Sequence, residues 1–266
     1  MGVFGYNIPE SWLFVPAKEK YISGLDKLKS ADVVIFDLED SLKGEEKEQG
    51  LEFLCNMQKP PGSGKMLVRL NSDRLYKELK ALKGSPFDGY MLPKFENTGL
   101  LDEYKDLIDK PIAALVETPA GIDGIKEIAA DKRIFAIAFG AEDFCAALGI
   151  EKEERAVLFA RSMIVLYTAM FDKISVDMIS REYKDEERFE KDLEDSLKTG
   201  FKGKLLIHPK QLEAVEKLKK SIPAEEIEKI IEDYEKEKSG AVVIDGRLYE
   251  KMHIQRLKKI LEDQRR

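Results

Sequence analysis

The stretch Ala31-Asp32-Val33-Val34-Ile35-Phe36-Asp37-Leu38-Glu39-Asp40 decides the fold. Val33–Phe36 is continuously apolar rather than alternating, which is how a strand buried on both faces of a parallel sheet reads. The strand then ends in three carboxylates within four residues. Working outward, comparable apolar runs stand at Leu13–Pro16, Lys65–Asn71, Gly89–Lys94, Ile112–Thr118, Ile134–Asp143, Lys173–Ser180 and Lys204–Pro209. With Asp32–Asp40 they make eight strand candidates.

Amphipathic helical patterns separate them. In Lys18–Ser30, Tyr21, Ile22, Leu25 and Leu28 fall on one helical face. Glu154–Met170 reads as a longer, mostly buried helix carrying Leu158, Phe159, Ile164 and Leu166. Eight strands alternating with helices over roughly 210 residues is the repeat of a (β/α)₈ TIM barrel, an α/β fold. Alternation alone also fits a doubly wound open sheet. Beyond the repeat, Pro223–Lys238 reads as a helix ended by Ser239-Gly240, Ala241–Gly246 as a strand and turn, and Lys251–Arg266 as a basic helix. The expected division is therefore a barrel over 1–220 and a C-terminal helical and hairpin extension over 221–266.

The chain has 266 residues, ample for a substantial core. Its net charge of −7 argues against a nucleic-acid binder, which needs a basic face. No apolar run approaches the roughly 20 residues of a membrane span, and Met1–Glu10 lacks the layout of a secretory signal. Two cysteines, Cys55 and Cys145, make no disulfide framework, so the expected compartment is a reducing cytoplasm.

Barrel chemistry sits at the C-terminal ends of the strands. Here those ends carry Asp37 and Glu39, Arg69 and Asn71, Lys94, Glu117, Glu142 and Asp143, Asp177, and His208. Any one is ordinarily a solvated charge. Carboxylates from three strands and a guanidinium from a fourth, converging on one mouth, would repel unless a cation joined them. Two carboxylates completed by waters describe a Mg²⁺ site with positions open to substrate oxygens. A nearby Arg suits a substrate carboxylate or an enolate oxygen. His208 and His253 are the only histidines, and no zinc spacing, nucleotide-binding glycine loop or serine elbow is present. Lys94 is the one lysine at a strand end that could serve a Schiff-base aldolase, although a surface or carboxylate-paired role is the simpler reading.

These residues lie in blocks that resemble a known family. Ser11–Pro16, Ala31–Asp40, Val68–Asn71, Leu92–Lys94, Val116–Gly121, Phe139–Phe144, Gly200–Lys204, Ile207–Gln211 and the Asp245-Gly246 turn follow one another in the order seen in the citrate lyase β-subunit and its relatives. Those relatives are the malyl-CoA lyases and CoA-ester lyases of the HpcH/HpaI aldolase superfamily. The resemblance implies Mg²⁺-dependent carbon–carbon cleavage of a 3-hydroxyacyl thioester, citryl or malyl in type, to an oxo acid such as oxaloacetate and an acetyl thioester. The thioester would be carried by CoA or an acyl-carrier protein. Glu117 and Asp143 match the metal ligands, Arg69 the residue that grips the oxo acid, and Asp37 and Glu39 the acids around the metal's waters.

In the CoA-lyase relatives a C-terminal Asp reaches a neighbouring subunit's active site, and Glu250 stands at that position here. The resemblance thus implies a homo-oligomer, a trimer or hexamer, with the extension packed on its neighbour; subunits of a lyase complex are further implied partners. The chain departs from the family pattern at Glu10, Ala17, Ser180-Arg181-Glu182 and in Lys47-Glu48-Gln49-Gly50-Leu51, where the relatives carry Lys-x-x-Ala-Arg. Two alternatives stay open: hydrolysis or condensation of an acyl thioester on the same metal–enolate site, and a diverged subunit that binds metal and oxo acid without turnover.

Overall fold

The computed structural model describes residues 10–22, 28, 30–59, 64–151, 155–221, 224–237 and 240–264. Leu25, Glu154, Pro223, Lys238, Ser239 and Arg265–Arg266 lie outside these described residues.

Eight strands form: β1 Glu10–Pro16, β2 Val33–Asp37, β3 Lys65–Arg69, β4 Gly89–Leu92, β5 Ile112–Val116, β6 Ile134–Phe139, β7 Ile174–Asp177 and β8 Gly203–Leu206. They pair in sequence order, and β1 pairs with β8, so the sheet is a closed barrel rather than a doubly wound open sheet. All eight pairings are parallel, with helices between the strands, which is the (β/α)₈ architecture. Both faces of each strand are covered, hence the unbroken apolar runs.

Alternate residues face the barrel interior. The interior is filled by Trp12, Val33, Ile35, Leu67, Met91, Ala113, Leu115, Ala136, Ala138, Val176 and Leu205. Each large aliphatic side chain buried there contributes about 1.5–3 kcal/mol. The same parity decides the chemistry. Counting on by two from Val33 and Ile35 gives Asp37, from Leu67 gives Arg69, from Ala113 and Leu115 gives Glu117, and from Ala136 and Ala138 gives Gly140. The core pattern therefore delivers polar groups to the mouth.

The opposite parity faces the helices. Asp177 and Lys204 are register partners on β7 and β8. Lys204 Nζ lies 3.1 Å from Asp177 Oδ2, and Arg161 donates to both Asp177 oxygens at 3.0 and 2.9 Å. All three are buried. Asp177 thus belongs to the layer between barrel and helices. Burial alone would raise its pKa, but the Lys204 and Arg161 charges hold it below the usual carboxylate range.

The helix Arg155–Met170 corrects the reading of its sequence. Its buried face is Val157, Ala160, Arg161, Ile164 and Thr168, whereas Leu158, Phe159 and Leu166 are 55, 62 and 55% exposed. An apolar residue on every face made the helix read as buried. The barrel covers only the stripe that carries Ile164, and Met170 extends the exposed side.

Residues Pro9–Leu212 form one compact unit, and the chain from Glu213 onward belongs to a second. In the second, β9 Ala241–Ile244 and β10 Arg247–Glu250 pair antiparallel. They turn through Asp245 and Gly246, both at positive φ (49° and 75°), the conformation of a tight two-residue hairpin. Ile227, Ile230 and Ile231 of the helix Ala224–Lys236 pack with Tyr249 and with Ile254, Leu257, Ile260 and Leu261 of the helix Lys251–Gln264. Among the described residues, no helix is long and apolar enough to cross a membrane.

Candidate active site

Register builds the first half of the site. Asp37 pairs with Arg69 across β2 and β3, so their side chains leave the sheet side by side. Arg69 Nε and Nη2 each donate to one Asp37 oxygen at 2.8 Å, a bidentate fork. Asp37 also accepts from the N–H groups of Glu39 and Ser41 at 2.9 and 3.0 Å, which folds the loop after β2 over the mouth. Burial would raise the Asp37 carboxyl, but Arg69 and these donors outweigh it and hold it below its ordinary value. Arg69 Nη1 reaches Asp40 at 2.9 Å and Glu39 at 3.4 Å, and the guanidinium lies 4.8 Å from the Phe14 ring centroid.

The second half comes from β5 and β6. Glu117 follows β5 directly and is 5% exposed. Its Oε1 accepts from the Lys94 N–H at 2.7 Å. Burial, with the Glu39 and Asp143 charges, pushes its pKa up to about 8 despite that donor. Glu39 is pushed up to about 7, chiefly by burial.

Asp143 was expected at the end of a strand running to residue 143. In the structure β6 stops at Phe139, and Asp143 stands in the first turn of the helix Ala141–Leu148. Gly140 breaks the strand, and the helix N-terminus favours an acid in that turn. Its side chain is half-exposed, 3.9 Å from Lys94 Nζ. Lys94 is therefore a carboxylate-paired surface lysine, not the desolvated amine that Schiff-base chemistry needs.

Asp37, Arg69, Glu117 and Asp143 line one cavity of about 330 Å³. Phe14, Leu115, Ile179, Leu205 and Ile207 make its apolar wall. Glu39 reaches Arg69 beside it. The last of the predicted residues, Glu250, ends β10 in the C-terminal unit, where it is exposed and its N–H donates to His253 Nδ1 at 3.0 Å. It shares a hairpin face with Leu248, whose partner Val243 is also exposed, as is Met252 at the start of the following helix.

Two features were not legible in the sequence. Asn71 is buried with Glu78: its N–H and Nδ2 donate to the Glu78 carboxylate at 2.7 and 2.6 Å, and Nδ2 also reaches the Leu38 carbonyl. This ties the exit of β3 to that of β2. Lys94 adopts a left-handed backbone, φ 48°, that no motif announces.

The donor set fits a hard divalent cation. All the carboxylates offer oxygen, and Arg69 is the only cationic side chain among the lining residues. Among the described residues, no group of three or more His, Cys, Asp or Glu is arranged to enclose a metal.

Fold and mouth together define a (β/α)₈ barrel whose open end gathers carboxylates around the Arg69 guanidinium. The HpcH/HpaI aldolase/citrate lyase family model matches residues 10–209, and the chain belongs to that family. It is 30% identical over 259 residues to the (3S)-malyl-CoA thioesterase of Cereibacter sphaeroides, covering 92% of this chain and 90% of that protein. It is 31% identical over 218 residues to the citrate lyase subunit beta-like protein of Mycobacterium tuberculosis, covering 77% of each. Among solved structures, the CitE protein of M. tuberculosis in complex with magnesium, acetoacetate and coenzyme A matches with a TM-score of 0.79. That match has 27% identity and covers 97% of this chain and 99% of that one. The M. tuberculosis citrate lyase beta subunit complexed with oxaloacetate and magnesium matches at 0.69, with 30% identity over 82% of this chain and 99% of that one.

Proposed function

We propose that the protein is a Mg²⁺-dependent carbon–carbon lyase that cleaves a 3-hydroxyacyl thioester to an oxo acid and an acetyl thioester. The observation that carries this reading is the placement of the Asp37–Arg69 fork and the Glu117–Asp143 carboxylates around one cavity. Magnesium-bound relatives support it.

In this reading Glu117 and Asp143 hold Mg²⁺, which when bound polarises substrate oxygens and offsets the negative mouth. Asp37 fixes the Arg69 guanidinium so that it meets the oxo-acid carboxylate and the charge developing on the thioester oxygen without reorganising. The apolar wall of Leu115, Ile179 and Leu205 keeps water from the breaking bond. Cleavage removes one proton from the hydroxyl and places one on the released carbon, and Glu250 from a second subunit is assigned to proton transfer. The exposed Val243, Leu248 and Met252 beside Glu250 suit a homo-oligomer, a trimer or hexamer, in the reducing cytoplasm that two free cysteines fit.

The deciding experiment is a panel of 3-hydroxyacyl-CoA esters with Mg²⁺, read for both cleavage and free CoA. Release of an oxo acid and an acetyl thioester supports the lyase; free CoA without carbon–carbon cleavage replaces it by the hydrolase. The hydrolase is the second reading, because the C. sphaeroides relative is a thioesterase over nearly the whole chain.

Two further results are expected. With its pKa near 8, Glu117 is protonated at neutral pH before the cation arrives, so binding must displace that proton. Apparent Mg²⁺ affinity should climb by up to about tenfold per pH unit from pH 6 to 8 and then level. Calorimetry in buffers of different ionisation enthalpy reads the proton directly; a flat profile contradicts the assignment. Glu250→Gln should lower turnover about 10²-fold with Mg²⁺ binding intact. Sedimentation showing a monomer would remove Glu250 from the mechanism.

A further inference from the structure

We infer that the left-handed backbone of Lys94 and the missing β-carbon of Gly140 are paired positioning devices that dedicate Glu117 Oε1 to the Lys94 N–H and leave Oε2 for the cation. The inference rests on the metal reading above. It concerns how this chain sets its ligand.

A β-carbon on Gly140 would stand 2.5 Å from both the Glu117 Cβ and its Oε2, closer than real β-carbons approach. The approach follows from register: Val116 pairs with Phe139, and the Gly140 N–H donates to the Val116 carbonyl at 2.9 Å, so Glu117 and Gly140 leave adjacent strands together. Any larger residue at 140 pushes Glu117 aside and shifts the turn that carries Asp143 three residues on. From the other side, the Lys94 N–H holds Oε1 at 2.7 Å. The next N–H, that of Phe95, returns to the Leu115 carbonyl at 3.0 Å, and φ 48° at Lys94, a conformation that non-glycine residues adopt at a cost, is what lets both bonds form in succession. Backbone strain of this kind persists where the surrounding structure determines it. Here it keeps the Lys94 N–H on Glu117 while the chain turns back to β5.

The side chain of Lys94 is half-exposed, with its ammonium 3.9 Å from Asp143, so its charge and its backbone can be tested apart. Lys94→Gly and Lys94→Val lose the same ammonium. Glycine accepts the left-handed conformation, whereas a β-branched residue resists it. With Mn²⁺ as the probe, followed by electron paramagnetic resonance well below each variant's melting point, Lys94→Val should bind about tenfold or more weakly than Lys94→Gly. Lys94→Asn, which tolerates this backbone, should bind like Lys94→Gly. The melting temperature of metal-free Lys94→Gly should rise above wild type and that of Lys94→Val should fall. Gly140→Ala should lose Mn²⁺ affinity by a similar factor; should it not fold, the Lys94 set still decides. Equal Mn²⁺ affinity of the glycine and valine variants, with binding lost in Glu117→Ala, overturns this inference alone. Unchanged binding by Glu117→Ala overturns the metal reading and this inference with it.

Discussion

Replacing Glu117 by Ala is expected to abolish Mg²⁺ binding in calorimetry and to lower turnover by about 10³-fold or more, with the barrel still folded. Removing one oriented electrostatic group from an active site typically costs about 10²–10³ in turnover, and in the proposed site the same change would also remove one of two protein ligands to the cation. Oxo-acid binding should fall with it, because Arg69 is already shared among Asp37, Asp40 and Glu39 and would no longer be helped by the proposed cation. Asp143→Ala should follow the same pattern more mildly, since Asp143 is half-exposed and its place is open to water. Stability distinguishes a lost ligand from a lost fold. Glu117 is raised to about 8 by burial and like charges, so the metal-free protein gives up little by losing it, and its melting point should hold or rise. Tight Mg²⁺ binding by Glu117→Ala would show that another group carries the cation.

Replacing Asp177 by Ala should do the opposite, damaging the fold. Its loss leaves Lys204 and Arg161 buried without their shared counter-charge. Breaking a buried ion pair from one side costs about 3–5 kcal/mol. For a chain of this size that corresponds to a drop in melting temperature of roughly 5–10 °C. Lys204→Met should cost less, because Arg161 still answers Asp177 and the methionine refills the space. The pH dependence has a definite sign. Asp177 sits below its ordinary pKa when folded, so its contribution is present above about pH 4 and is lost as the pH falls through the folded value. In Asp177→Ala that part of the acid limb should vanish. A melting point within a few degrees of wild type would show that the network is not worth its burial.

The two variants separate what the sequence made visible from what it hid. The eight strands were legible because strands covered on both faces are written as unbroken apolar runs, Val33–Phe36 being the clearest. The mouth was legible because the inward parity that fills the core with Ile35, Leu67 and Leu115 continues to Asp37, Arg69 and Glu117. Asp143 was found as a residue but placed on a strand, since nothing local marks Gly140 as the break. The Asp177–Lys204–Arg161 network stayed hidden because its members lie far apart in sequence and meet only when β7, β8 and a helix pack. Asn71 and Glu78 stayed hidden for a different reason: an Asn after a strand and a Glu on an amphipathic helix both look solvent-facing. Leu158, Phe159 and Leu166 misled in the reverse sense. Hydropathy records that a residue could be buried, and only the neighbouring elements decide whether it is.

The pairing of β1 with β8 also bears on how the chain reaches its native state. Trp12 bonds across to Leu205, so the last seam joins the beginning of the barrel to its end. At about 5–20 residues per second, a ribosome would take of the order of ten to forty seconds to make the missing partner. Throughout that interval β1 presents an unpaired edge, the kind of surface that recruits strands from other chains. Contacts so distant in sequence also slow folding itself. The barrel, edgeless once finished, is at its most aggregation-prone just before its final strand arrives.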